Sequence, residues 1–216
     1  MNPTKNKKEF FDEIIPIGGD CSIGEAISHF KYRKCSYPLD WNISTIDFIK
    51  KYFGSKLRYL ESVIEQSKPI SNSSIPGIKD LFYFQHDAKT SKESMIKKYK
   101  KRNNRLNNLL ESDNKILFVR KWPSDTVRDM LELKSIINSV YPNLKFKILI
   151  LNNIKGEIVN DQSIIHHYCE SDCFLKKNKN GIFSHINAKK SYQSMRKSIS
   201  QFTSNKYNQP KNIRII

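Results

Sequence analysis

Cysteine and histidine are the side chains best suited to covalent chemistry, and here one of each stands just past an apolar run. Cys21 lies in "IPIGGDCSIGEAI", where a strand-like stretch ends in Gly18-Gly19 and an amphipathic helical pattern begins. A thiol at a helix N-terminus meets unpaired N–H groups and the positive end of the helix dipole, and both favour the nucleophilic thiolate. Gly19 and its neighbour let the chain turn sharply and let a substrate approach the backbone. The N–H groups of Cys21 and Ser22 are candidates for binding a developing oxyanion. His86, in "FQHDAK", would take the thiol proton if the fold brings it within hydrogen-bond reach. Arg120, in "LFVRKW", is a candidate for holding an anionic substrate group. Each has a plainer alternative. Free cysteine is among the most buried residue types, Asp20 beside the thiol would disfavour its ionisation, and Arg120 would serve as well in an ion pair.

Other polar residues carry weaker chemistry. Asp40 in "YPLDW" is a candidate third catalytic member, or else a turn acid beside a core-anchoring Trp41. "IIHHYCESDC" gathers His166, His167, Cys169 and Cys173, but the spacing departs from the paired ligands of zinc sites. On a strand His167 and Cys169 share a face while His166 points away. No metal ligand set and no cofactor are expected. No G-x-x-x-x-G-K-[ST] or G-x-G-x-x-G phosphate loop occurs.

These groups need elements to position them. "EIIPI" (13–17), "LFYFQ" (81–85), "KILFV" (115–119), "FKILIL" (146–151) and "SIIHHY" (163–168) read as strands. Apolar residues at helical spacing predict helices from residue 22, over 44–53 with Ser44 as cap, more weakly over 56–66, and over 92–111, 125–140 and 189–202. "KPISNSSIPGIK" reads as a loop. Continuously apolar strands alternating with helices predict an α/β fold, a three-layer sandwich with a mainly parallel central sheet and helices on both faces. In such folds the site lies off the carboxyl ends of the strands, where Cys21, His86, Arg120, Asn152 and His167 all fall. The expected organisation is a disordered basic N-terminal tail (1–10), one domain (11–202) and a polar C-terminal tail (203–216).

The chain has 216 residues, with 38 Lys and Arg against 21 Asp and Glu, a net charge of +17. Such a charge draws a protein toward nucleic acid or acidic partners, or reflects an AT-rich coding sequence with its abundance of Lys, Asn and Ile. Four cysteines are too few for a disulfide scaffold at this length, no secretory leader is evident, and no apolar stretch reaches the roughly 20 residues that span a bilayer. A cytoplasmic, reducing setting is expected. Two functional classes remain: a thiol hydrolase or transferase acting on an amide or ester, and a non-enzymatic basic module engaging nucleic acid or an acidic protein.

The succession "IPIGGDCSIGEAISHF", "CSYPLDWNIS", "LFYFQHD", "KYKKRNNRLNNLL" and "ILFVRKW" resembles the DUF1796 family of papain-like cysteine peptidases over roughly residues 12 to 151. The most specific part is G-x-x-C paired with an S-x-P-x-D-W box, in which Leu39 replaces the usual Phe. The resemblance implies a nucleophile at Cys21, a base at His86 and a weaker third member at Asp40. A member that keeps the fold for protein contacts alone would hold Cys21 and His86 too far apart to hydrogen-bond.

Overall fold

The structure, a computed structural model, describes residues 9–33, 35–69, 76–78, 82–84, 86–87, 89–170, 173–177, 183–185, 193, 195–197, 199–201 and 203–205. Along the chain run β1 (Glu9–Phe11), β2 (Glu13–Gly19), α1 (Ser22–His29), β3 (Ile43–Ser44), α2 (Ile46–Gly54) and α3 (Tyr59–Gln66). Then come β4 (Lys68–Pro69), β5 (Pro76–Ile78), β6 (Phe82–Tyr83), α4 (Lys92–Leu110), β7 (Lys115–Lys121) and α5 (Val127–Val140). The series ends with β8 (Lys145–Asn152), β9 (Ile164–Tyr168), β10 (Leu175–Lys177), β11 (Phe183–His185) and β12 (Thr203–Asn205).

The centre is a four-stranded parallel sheet in the order β2-β7-β8-β9. Strand alternation divides its side chains between two cores. Ile15, Ile17, Ile116, Phe118, Ile148 and Ile150 face one core with α2, α3, α4 and α5. Ile14, Leu117, Val119, Leu149 and Leu151 face the other, with α1 and the helical residues Met195 and Ile199. Helices therefore cover both faces, which makes the fold the expected three-layer α/β sandwich.

A second, antiparallel sheet of order β3-β6-β5-β4 lies beside the first. It corrects one expectation: "LFYFQ" contributes β6 to this small sheet, not to the parallel one, with Phe82 opposite Ser44 and Ile78. A short aromatic run fits a buried strand of either kind, and the partner is fixed by the chain 40 residues earlier rather than by the run itself. The stretch expected as a loop supplies β4 and β5, with 70–75 outside the described residues. Ser44 lies in β3, so Thr45 caps α2, its side chain accepting from the Phe48 N–H. β1 and β12 pair in parallel, so strand structure reaches into both segments expected as tails; 1–8 and 206–216 lie outside the described residues. Among the described residues no helix is long and apolar enough to cross a membrane.

Candidate functional site

β2 ends in two glycines because its last residues must pass through very close quarters. Gly18 (φ +74°) and Gly19 (φ +95°) occupy the left-handed region, and a Cβ on Gly19 would stand 2.1 Å from the Lys121 carbonyl oxygen. The turn delivers Cys21 as the N-cap of α1, partly exposed, its carbonyl accepting from Glu25 N–H at 3.1 Å. Burial, then the carboxylates of Asp20 and Glu25, push the Cys21 thiol up to about 12, with Lys121 acting in the opposite sense. The resting sulfur is a thiol, and the helix N-terminus does not overcome its surroundings.

The first turn of α1 is held by a buried polar cluster. Asp20 Oδ1 accepts from the Ser22 N–H at 2.8 Å and from the Ser22 hydroxyl. Lys121 Nζ, with a side chain of 0 % exposure, reaches Asp20 Oδ2 at 3.0 Å and Ser22 Oγ at 2.8 Å. Ser22, expected to offer its N–H to substrate, therefore gives it to Asp20. Lys121 escaped the sequence reading, which took Arg120 as the cation of this strand end. The period of two separates the pair once the faces are known: Lys121 is in phase with Leu117 and Val119 on the α1 face, and Arg120 with Ile116 and Phe118 on the other. Arg120 is fully buried, paired with Asp125 at 2.6 Å and donating to the carbonyls of Ile17 at 3.2 Å and Ser44 at 3.0 Å. Its guanidinium ties β2, β3 and β7 together and is not presented at a surface.

The segment after α1 bridges the two faces of the sheet. Arg33 donates to the Gly24 carbonyl at 3.0 Å and pairs with Asp40. Tyr37 and Leu39 pack into the α2–α5 core. Asp40 is buried, and one of its oxygens closes the turn by accepting from the Tyr37 N–H at 2.7 Å. Burial raises its carboxyl to about 6, against the pull of Arg33 and the Tyr37 N–H. The backbone of Asp40 touches α1: a Cβ on Gly24 would lie 2.0 Å from the Asp40 carbonyl oxygen. Trp41 follows, its indole N–H 3.4 Å from Ser36 Oγ and its ring edge-on to His86 with centroids 5.3 Å apart.

His86 is exposed, in the turn after β6. Its carrier strand belongs to the antiparallel sheet, so it reaches the rim beside Trp41 and not from a neighbouring parallel strand. Among the described residues no hydrogen bond joins Cys21 to His86, nor Asp40 to His86. Gly24 of α1 packs against the Asp40 backbone, and Trp41, next in the chain, carries the His86 ring. Asp87, next in sequence, is buried and engaged by Lys98 and by the Tyr99 hydroxyl at 2.7 Å.

The far end of the rim is a separate cluster. Asn152 closes β8, donating to Glu157 Oε2 at 2.6 Å and to the Asp125 carbonyl at 2.7 Å, with His166 Nε2 2.7 Å from its Oδ1. A cleft of about 630 Å³ opens beside it, bounded by Glu9, Lys147, Glu157, Asp161, Ile164 and His166; none of Cys21, Asp40 and His86 lines it. Cys169 and Cys173 are buried, and no group of three or more potential ligands is gathered for a metal among the described residues.

A three-layer α/β sandwich with a partly exposed cysteine at the start of the helix that follows the first strand of its central sheet defines the class. Residues 12–156 match the model of the family described as "Putative papain-like cysteine peptidase (DUF1796)", and the chain belongs to that family. The matched span takes in Cys21, Asp40, His86 and Lys121 and stops before β9. No curated protein and no solved structure matches the chain.

Proposed function

We propose that this protein is a thiol hydrolase acting on an amide or ester, with Cys21 as nucleophile and His86 as general base. The observation that carries the reading is the placement of Cys21: partly exposed, on the helix N-terminus that follows a parallel strand, in the helix whose Gly24 packs on the Asp40 backbone beside the Trp41 ring that His86 meets. Because the resting sulfur keeps its proton, chemistry requires that the proton leave during attack, which is general-base catalysis and not a standing ion pair. His86, which makes no hydrogen bond to Cys21 at rest, accepts the thiol proton through one intervening water as the Cys21 Sγ–acyl carbon bond forms. The bond to the leaving amine or alkoxide then breaks, and the leaving group takes that proton. Water, giving a proton to His86, next attacks the thioester carbon, releasing the acid and restoring the thiol. Asp40 serves as a positioning residue, because its bonds to Tyr37 and Arg33 set the Trp41 ring against which His86 rests. Gly19 serves by its freedom to turn rather than by contact with substrate.

The test is acylation by p-nitrophenyl acetate followed by peptide mass mapping. The expected result is one acetyl group on Cys21, lost in Cys21→Ser and formed much more slowly in His86→Ala. Acetylation spread evenly over Cys21, Cys35, Cys169 and Cys173 would overturn the reading.

A second reading rests on the solvent face of α4, where Lys97, Lys100 and Lys101 are exposed in a chain of net charge +17. It makes the protein a basic binding module, and it requires binding to a single-stranded RNA oligomer that weakens steeply with salt. Binding indifferent to ionic strength removes it.

A further inference from the structure

Beside the proposed nucleophile lies a fully buried ammonium that the hydrolytic scheme does not use. We propose that Lys121 is the positioning residue of the Cys21 site: it holds the first turn of α1 through Asp20 and Ser22 and sets the balance of charge that the Cys21 sulfur faces. The inference rests on the reading of Cys21 as a nucleophile and deepens it.

The geometry is specific. β7 alternates, and its parity puts Lys121 on the α1 face, where it meets the two residues that flank Cys21 in sequence. Nζ lies 3.0 Å from Asp20 Oδ2 and 2.8 Å from Ser22 Oγ, and it stands over the Phe174 ring at 5.2 Å from its centroid. Asp20 in turn holds the Ser22 N–H, one of the donors a helix N-terminus leaves unpaired. Cys21 is thus clamped between two anchored neighbours, although its own side chain caps nothing. A buried lysine is costly without partners, and Lys121 spends its ammonium on the carboxylate and hydroxyl of the two residues that flank Cys21.

The pair also fixes the local field. The charged groups acting on Cys21 are Asp20 and Glu25, which disfavour the thiolate, and Lys121, which favours it. Asp20 does two opposed things: it immobilises the turn, and its negative charge holds the sulfur protonated. Lys121 offsets that charge from within the sheet. The sulfur remains a thiol at rest, and its proton leaves only when a base is brought to it. In the free protein the arrangement protects the cysteine from oxidation and from adventitious electrophiles, since both react with the thiolate.

The experiment is the pH profile of iodoacetamide alkylation at Cys21, followed by peptide mass mapping in the full chain. Asp20→Asn keeps the shape and removes a carboxylate; alkylation at pH 8 should rise on the order of tenfold, the effect of a one-unit change in thiol acidity. Lys121→Met should slow it, by a smaller factor than Asp20→Asn raises it. The double variant Asp20→Asn/Lys121→Met removes both charges together, so it is the control should Lys121→Met leave Asp20 too exposed to its own charge to fold. It should return to within about threefold of the parent protein, because the two charges act in opposite senses. An Asp20→Asn profile that coincides with the parent's overturns the proposal, as does a double variant displaced as far as either single one. The expected alkylation shifts in a protein that p-nitrophenyl acetate does not acylate at Cys21 would sink the hydrolase reading and leave the charge assignment standing.

Discussion

Arg120 and Lys121 are neighbours on β7, yet they stand on opposite faces of the sheet in environments of opposite character. Arg120 looks toward α2 and α5, where Asp125 and the carbonyls of Ile17 and Ser44 occupy its guanidinium on several sides. Lys121 looks toward α1, where its ammonium serves two residues that bracket a partly exposed thiol. Both cations are fully buried. The difference is in what lies beyond them: behind Arg120 there is framework, and behind Lys121 there is a partly exposed cysteine. Burial of charge therefore does not mark a site by itself. What sets Lys121 apart is that its partners flank Cys21 in sequence.

The largest effect that would sharpen this contrast is expected at Arg120. Arg120→Met strands Asp125 in the interior and should cost about 3–5 kcal/mol in urea unfolding, as breaking a buried pair does. The residual folded protein should keep the parent alkylation profile at Cys21, and a changed profile would merge the two faces into one network. Gly19→Ala strikes the junction where the faces meet. Its φ of +95° and the Lys121 carbonyl oxygen 2.1 Å from the new methyl predict a loss of about 2–4 kcal/mol in the same assay.

Asp40 gives a pH test. Its carboxyl is raised to about 6 in the fold, above its ordinary value, so the folded chain binds the proton more tightly than the unfolded one. Its contribution to stability thus falls as pH rises from about 4 to 6 and returns on acidification. Unfolding of the parent measured against Asp40→Asn should show a difference that changes by up to about 3 kcal/mol across that window. A constant difference would mean that Asp40 does not carry the load the geometry gives it. The smallest effect belongs to the surface: Lys50→Ala, which loses contacts to Asp129 at 3.1 Å and Glu132 at 2.6 Å, should cost about 0.2–1 kcal/mol and leave Cys21 untouched.

Much of this architecture was legible in local patterns. β2, β7 and β8 are continuous apolar runs, and α1, α4 and α5 carry the helical spacing that their buried faces require. What escaped was pairing. The run containing β6 has the same composition as a parallel core strand, and only contact with β3 and β5 assigns it elsewhere. His86 consequently arrives at the rim from the second sheet, resting on Trp41. Lys121 was hidden for a different reason: two cations end β7, and choosing between them needs the phase of the strand relative to α1, which depends on which core each strand face covers. Cys21 and its turn were readable because glycines, thiol and helix onset are contiguous.

The pairing of β2 with β7 carries a consequence for how the chain acquires its shape. Asp20 and Lys121 meet across 101 residues, and Ile17 and Arg120 across 103. Neither contact forms until the intervening chain, with four helices and a sheet of its own, has been drawn into a closed loop. Contacts of such sequence separation come late and slowly, because loop entropy must be overcome before they contribute anything. Asp20 and Glu25 are local to the thiol on α1, whereas Lys121 reaches it only near the end of folding. A nascent chain lacking β7 would carry Cys21 in an ordinary aqueous setting, more open to modification than the same residue in the finished fold.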